Sequence, residues 1–235
     1  MKFQTYLFLI FFIALLNSCA SLYIPNSVNT PLFTERNEAT INANVGMNGW
    51  DLQAAYSPIK HVGIMVNSSG SPKLRGSNSS FHSHAFLEGA LGFSSRVGEK
   101  GVIELYAGAG QGNIETRSKV IVNNNAKYDQ VKGEGTRLFI QPSFGLKSSE
   151  SEFSFSLRCI YNDLINVSYD NSTDLVKRSG TFIEPTVTLR RDKGKIMLQS
   201  QVGASIPFNL SSNNIRLRPF ILSVGICYRI GKKVD

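Results

Sequence analysis

The stretch EFSFSLRCIYN, residues 152–162, alternates between apolar and polar side chains and decides the fold. Phe153 and Phe155 fall on one face, whereas Ser154 and Arg158 fall on the opposite face. Successive side chains of an extended chain point to opposite sides, so a period of two predicts a β-strand. The repeat of 3.6 residues that would indicate helices is missing from the chain after residue 18.

The same alternation recurs between turn-forming clusters and predicts ten strands. They cover residues 39–46, 50–57, 61–68, 81–94, 102–114, 136–147, 152–162, 180–191, 195–207 and 218–230. We predict an all-β fold, an antiparallel up-and-down transmembrane β-barrel of about ten strands, with eight strands as the alternative. The predicted organisation is a signal peptide (1–18), a lipidated N-terminal lead-in (19–38), a barrel domain (39–230) and a C-terminal tail (231–235).

The composition excludes several other classes of protein. The chain has 235 residues, of which 42% are hydrophobic and 18% charged. A multi-helix membrane protein would be far more apolar, and a disordered chain would carry more charge and fewer aromatic residues. The length permits one large all-β domain.

The N-terminus has the features of a secretory signal peptide. Lys2 is followed by an apolar run, residues 6–16, which is too short to cross a bilayer but suits a signal sequence. The residues Leu16-Asn17-Ser18-Cys19 then resemble the lipobox of bacterial lipoproteins. That resemblance implies that the signal is removed, that Cys19 is diacylglycerated, and that its new amine is acylated. The alternative is an ordinary signal peptide followed by a chance cysteine.

The mature chain would be basic. Without residues 1–18, which include Lys2, it has 24 Lys and Arg against 17 Asp and Glu, a net charge of +7. For a secreted lipoprotein we expect this charge to face anionic lipid headgroups or solvent, with no nucleic-acid partner.

Loop lengths and charges favour a membrane barrel over a soluble sandwich. Short connections at 58–60, 95–101, 148–151 and 191–194 alternate with longer ones at 69–80, 115–135, 163–179 and 208–217. Outer-membrane barrels show this alternation, with short turns and both termini in the periplasm.

Charged residues recur in the middle of the polar strand faces. They are Glu88, Glu104, Arg137, Arg158, Glu184 and Arg190. We predict that they pair inside a narrow lumen, because a buried unpaired charge costs several kcal/mol. A lumen closed by such pairs would not be an open pore. The alternative places all six on the solvated surface of a β-sandwich.

Segments distributed over the mature chain resemble one group of proteins. YIPNSVNTPLFTERNEATINANVG, FHSHAFLEGALGF, LFIQPSFG and RPFILSVGICYRI, in that order, are similar to outer-membrane β-barrel lipoproteins of Bacteroidetes, whose function is generally unassigned. The resemblance implies location and architecture only. Surface-exported lipoproteins of that phylum carry acidic residues just after the cysteine, whereas Ala20-Ser21-Leu22-Tyr23 follows here. By that resemblance, Cys19 would remain in the inner leaflet, and the N-terminus would face the periplasm.

Two histidines are weak candidates for metal binding. His82 and His84 share a strand face and could bind zinc or copper with a third ligand, such as Glu88 or His61. The simpler interpretation is a polar lumen mouth, so we predict no metal and no cofactor. Cys159 and Cys227 fall on opposite strand faces, which predicts two free thiols.

The sequence contains no Gly-x-Ser-x-Gly, His-Glu-x-x-His or Walker-type motif, and we expect no enzymatic activity. Three roles stay open. The first is structural or surface-interacting, with an extracellular or periplasmic protein partner. The second is binding or transport of a small amphipathic ligand. The third is that of a soluble periplasmic lipoprotein with a lipocalin-like or sandwich fold.

Overall fold

The computed structural model describes residues 23–73, 81–122, 125–169, 176–192, 195–210 and 218–231. These residues form eleven strands. The strands are β1 (Ala39–Gly46), β2 (Gly49–Tyr56), β3 (Val62–Ser71), β4 (Phe81–Val97), β5 (Gly101–Val122), β6 (Asn125–Lys147), β7 (Ser151–Tyr169), β8 (Val176–Asp192), β9 (Ile196–Ala204), β10 (Ile206–Leu210) and β11 (Phe220–Ile230). Within those ranges, no helix is long and apolar enough to cross a bilayer.

The strands close into an antiparallel barrel, which confirms the predicted fold. Strands β1 to β9 pair in chain order, β11 pairs with both β9 and β1, and the ring contains ten strands. The eleventh, β10, directly follows β9 and pairs with β8. The predicted ninth strand, 195–207, therefore corresponds to β9 and the start of β10.

Pro185 explains why the ninth strand is divided. Thr186 pairs with Gly203 and Ile183 pairs with Ile206 in one continuous register. Between these pairs stands Pro185, which has no N–H to donate, so the ladder is interrupted there without a shift. No β-bulge accompanies Pro185, because the register shift of this ladder falls between Pro207 and Asn209.

The register fixes the size of the barrel. We followed the paired residues once around the ring, starting from Pro207 in β10. The path leads back to Lys195, directly before β9 and twelve residues earlier in the chain. With ten strands, this stagger corresponds to a tilt of about 40° and a backbone radius of about 10 Å. Such a lumen is wide enough for inward side chains and one extended chain.

The two faces of the barrel have opposite polarity. Outward side chains are apolar and exposed, as at Leu91 (64%) and Leu138 (58%). Inward side chains are polar and buried, as at Arg158 (1%) and Glu184 (0%). On β6 the outward apolar run extends from Leu138 to Leu146, which gives a band about 20 Å high at this tilt. A single closed sheet with this polarity is not a sandwich around an apolar core.

Several strands run beyond the apolar band, where the sequence predicted loops. Residues 115–135 were expected to be a loop, yet β5 continues to Val122 and β6 begins at Asn125. Likewise β7 and β8 extend into the predicted loop 163–179. The alternation of apolar and polar residues fades there because outward positions such as Glu115 and Lys132 are polar, while the backbone ladder continues. We call this raised side of the barrel, built by residues 110–122 of β5, residues 125–137 of β6 and the adjoining end of β7, the tall wall.

The lead-in occupies the lumen. Residues 23–34 are all buried and run inside the ring of strands. At the long-loop end, the N–H of Arg218 donates to the carbonyl of Tyr23; at the short-turn end, the N–H of Asn37 donates to the carbonyl of Ser57. The loop pattern predicted both termini at the short-turn end, where β1 begins and β11 ends with the pair Ala39 and Ile230. Tyr23, the first residue described, lies at the opposite end of the barrel.

Candidate functional site: a lumen filled by residues 23–34

Each main-chain carbonyl from Tyr23 to Leu32 accepts a hydrogen bond from the barrel. In chain order, the ten donors are Arg218 N–H and the side chains of Arg137, Asn48, Arg158, Gln53, Gln201, Gln141, Arg190, Arg229 and Lys147, at 2.6–3.4 Å. A single extended chain inside a barrel has no ladder partner, so its buried carbonyls require other donors. Long side chains of the surrounding barrel supply these donors. The lumen is therefore suited to hold an extended main chain.

One group of charges lies at the level of the first lead-in residues. This upper cluster consists of Glu88, Arg137, Arg158 and Glu184. Arg137 Nη1 lies 3.2 Å from Glu88 Oε1, Arg158 Nη1 lies 3.5 Å from Glu88 Oε2, and Arg158 Nη2 lies 2.8 Å from Glu184 Oε2. Two carboxylates thus face two guanidinium groups, and the four side chains are almost completely buried.

The lead-in completes the upper cluster. Asn26 Oδ1 accepts from Arg137 Nη1 at 3.3 Å and from Arg158 Nη2 at 2.7 Å, and its Nδ2 donates to Glu88 at 3.3 Å. The Tyr23 hydroxyl donates to Glu184 Oε1 at 2.6 Å, and its ring stacks on Phe182 with centroids 3.8 Å apart. The lead-in therefore satisfies hydrogen-bonding groups that the barrel strands alone would leave without partners.

A second group of charges lies towards the short-turn end. This lower cluster consists of Glu152, Arg190, Arg229 and Lys147. Glu152 Oε2 lies 3.2 Å from Arg190 Nη1 and 3.0 Å from Arg229 Nη2. Glu152, Arg229 and Lys147 are not among the six lumen charges predicted from the sequence. The signal was present, because all three lie on inward strand faces.

Glu104 stands apart from both clusters. The sequence predicted a partner of opposite charge, but in the described part of the chain Glu104 forms no salt bridge. Its Oε1 accepts from the N–H of Phe33 at 3.3 Å, whereas its Oε2 is buried without a hydrogen-bond partner. The six predicted lumen charges are thus divided: four form the upper cluster, Arg190 joins the lower cluster, and Glu104 is left alone.

Gly145 shows how closely the wall and the lead-in fit. A Cβ atom at this position would clash with the Leu32 side chain. Any larger residue would push Leu32 away from the wall, so the inward face of β6 provides space for the lead-in as well as donors.

The predicted histidine pair lies at the long-loop end. His82 Nε2 is 3.1 Å from His84 Nδ1, and His82 Nδ1 is 2.7 Å from Thr116 Oγ1. His61 is far from them, in the short turn between β2 and β3, and Glu88 is bound to two arginines. Among the described residues, no group of three His, Cys, Asp or Glu side chains could hold a metal ion.

The two cysteines described are both free thiols. Cys227 is buried in the lumen, and Cys159 is half-buried on the outward face of β7. Cys19, the predicted lipidation site, lies outside the described residues.

The tall wall closes the lumen above the upper cluster. Four of its inward side chains are apolar and almost fully buried: Ile114, Val131, Leu164 and Val167. Its outward face is polar. There Lys73 Nζ lies 2.7 Å from Glu115 Oε1. Partial burial opposes ionisation of this carboxyl, but the hydrogen bond and charge of Lys73, together with Lys132, lower the pKa of Glu115.

Comparison with known proteins gives no match to any family model, curated protein or solved structure. Geometry and chemistry therefore carry the functional argument.

Proposed function

We propose that this protein is a lipid-anchored outer-membrane barrel, closed by its own lead-in, with a structural or surface-interaction role and no catalytic activity. The observation that carries the proposal is the polarity of the sheet, apolar outside and charged inside. A surface with so many contiguous exposed apolar side chains is unfavourable in water and suits lipid. A soluble lipocalin-like barrel would show the reverse polarity. Acylation of Cys19 and membership of the Bacteroidetes group remain predictions that agree with this role.

A closed lumen favours a role other than conduction. The lead-in runs the length of the lumen, and its carbonyls, Asn26 and Tyr23 are bound by the wall. The apolar side chains of the tall wall cover the upper end. Ions could pass only if both the lead-in and these apolar side chains moved aside. We therefore expect no conductance from the intact protein.

The tall wall is the part best suited to contact another protein. Its outward face carries Glu115, Lys132 and Glu134, which stand beyond the apolar band and therefore in the aqueous phase. Rigid strands that project polar side chains above a membrane present a fixed surface, and binding residues often occupy such projecting segments. The partner is an extracellular protein if the long-loop end faces outward.

One observation favours the second role, binding of an amphipathic ligand. A groove of about 840 Å³ crosses the outer surface of β7, β8, β9 and β11. Apolar side chains line it, including Phe153, Leu189, Leu198 and Val224, and Glu150 and Arg191 stand at its polar edge. Its position outside the lumen fits a membrane lipid better than a transported solute.

Membrane fractionation of the full-length protein tests the main proposal. We expect extraction by detergent only, a gel mobility that changes on boiling, and no conductance in planar bilayers. Cys19→Ser is the matched control: it should lose acyl labelling but keep detergent dependence, because the barrel itself is embedded. Release of the Cys19→Ser protein into buffer without detergent would contradict a membrane-spanning barrel and favour a soluble one.

A further inference from the structure

The path of the lead-in determines where its N-terminal end leaves the barrel. Residues 35–38, the last part of the lead-in, connect residues 23–34 to β1 at the short-turn end, where Thr34 N–H donates to Glu38 Oε2 at 2.8 Å. From there the chain, followed backwards, crosses the lumen to Tyr23. At the long-loop end, Asn48 Nδ2 donates to the carbonyl of Pro25 at 3.0 Å, and Asn48 belongs to the turn between β1 and β2.

The number of residues before Tyr23 limits where Cys19 can be. Cys19 precedes Tyr23 by four residues, which span at most about 14 Å when fully extended. The apolar band is about 20 Å high at the observed tilt. Acyl chains on Cys19 therefore cannot reach the leaflet at the short-turn end, whatever conformation the four residues adopt.

The leaflet at the long-loop end is within reach. The main chain of Tyr23 lies against the wall, because its carbonyl accepts from the N–H of Arg218, two residues before β11. The rim is low on this side, where β1 and β2 are joined by Met47 and Asn48 alone and Met47 is exposed. A β-sheet layer is about 10 Å thick, so about 14 Å of chain can pass over the rim into lipid.

We propose that the lead-in carries the acylated Cys19 through the lumen, so that its lipid anchor lies in the leaflet at the long-loop end. This inference rests on the proposed function, a lipid-anchored barrel that spans the membrane. With the short turns in the periplasm, the anchor lies in the outer leaflet at the cell surface. This differs from the expectation from family resemblance, which placed Cys19 on the periplasmic side.

The closed ring of strands keeps residues 23–34, and with them the lipid anchor, in this position. The lead-in precedes β1, and the barrel closes where β1 pairs with β11. In the closed ring, the ten bound carbonyls and both charge clusters prevent the segment from sliding, so the anchor and the C-terminal strand end stay on opposite sides.

Site-specific labelling of intact cells tests the inference. Single cysteines are introduced by Ser21→Cys, Lys132→Cys and Lys60→Cys in full-length protein that retains Cys19 but carries Cys159→Ala and Cys227→Ala. Lys132 marks the tall wall and Lys60 marks a short turn, and both side chains are more than half exposed. We expect Ser21→Cys to react with a membrane-impermeant maleimide to the same extent as Lys132→Cys, while Lys60→Cys reacts only after permeabilisation.

The outcomes separate the inference from the proposed function. If Lys132→Cys and Lys60→Cys differ and Ser21→Cys behaves like Lys60→Cys, the inference is wrong although the barrel spans the membrane. If Lys132→Cys and Lys60→Cys react alike in intact cells, the membrane-spanning proposal itself fails. Ala20→Cys repeats the measurement one residue closer to the anchor and guards against local shielding of residue 21.

Discussion

The upper and lower clusters hold the same segment of chain but differ in how well their charges are matched. In the upper cluster each carboxylate faces a guanidinium group, and Asn26 of the lead-in joins three of the four members. In the lower cluster one carboxylate, Glu152, lies between two arginines, and Lys147 donates to a carbonyl. Burying a charge is tolerable only when partners and hydrogen bonds compensate it. The upper cluster should therefore be the stronger attachment of the lead-in.

The largest effect should come from removing the part of the lead-in that both clusters bind. Deletion of residues 23–33 would leave ten donors without carbonyls and a lumen with a backbone radius of about 10 Å. We expect this variant to conduct ions in planar bilayers, whereas we expect no conductance from the intact protein. Replacing the same residues by Gly and Ser at equal length keeps the carbonyls and should give a smaller conductance. A deletion variant that folds and remains non-conducting would show that the tall wall alone closes the lumen.

Breaking the upper cluster should have the next largest effect. Arg158→Met removes the salt-bridge partner of Glu184 and one of the two partners of Glu88, and leaves both carboxylates buried. We expect the free energy of unfolding to fall by about 3–5 kcal/mol, measured by urea unfolding in detergent micelles. The double variant Arg158→Met/Glu184→Gln removes one stranded charge and should recover part of the loss. A loss below that of the corresponding lower-cluster variant would reverse the proposed ranking.

The matching change in the lower cluster should cost less. Arg190→Met removes a donor to Glu152 and to the Thr30 carbonyl, but Arg229 still pairs with Glu152. We expect a loss of about 1–3 kcal/mol, the usual penalty for buried groups that lose one of several partners. The same unfolding measurement checks it. Lys195→Met, which removes an exposed charge directly before β9, is the control for a change of surface charge. Equal losses for Arg190→Met and Arg158→Met would show that the two clusters are equally strong.

The smallest change in the free energy of unfolding is expected from a substitution of Glu104, and this change should be an increase. Glu104→Gln removes a buried charge that has no salt bridge in the described structure, while the amide oxygen can still accept from Phe33 N–H. We expect the free energy of unfolding to rise by up to about 1 kcal/mol. Glu152→Gln is the matched control and should reduce stability, because it weakens two ion pairs. A similar loss at both positions would reveal an ionic partner for Glu104.

Much of this fold could be predicted because strand patterning is local. Alternation within stretches such as residues 152–162 identified the strands, and the mid-strand charges identified the inward face. The lead-in was missed because residues 23–34 have neither periodicity nor charge. That lack of charge was itself a usable signal: twelve uncharged residues with two prolines precede a barrel whose inward faces are rich in Arg, Gln and Asn donors.

The sequence by itself determined the strands and their two-faced character, since side-chain direction depends only on neighbouring residues. Only the tertiary structure decided which charges pair, that Glu104 has no ionic partner among the described residues, and that the lead-in enters the lumen. These outcomes depend on the stagger of twelve residues around the ring, which brings Tyr23 to Glu184 and Asn26 to Arg158. Contacts between residues more than a hundred positions apart follow from closure of the barrel, and no local pattern encodes them.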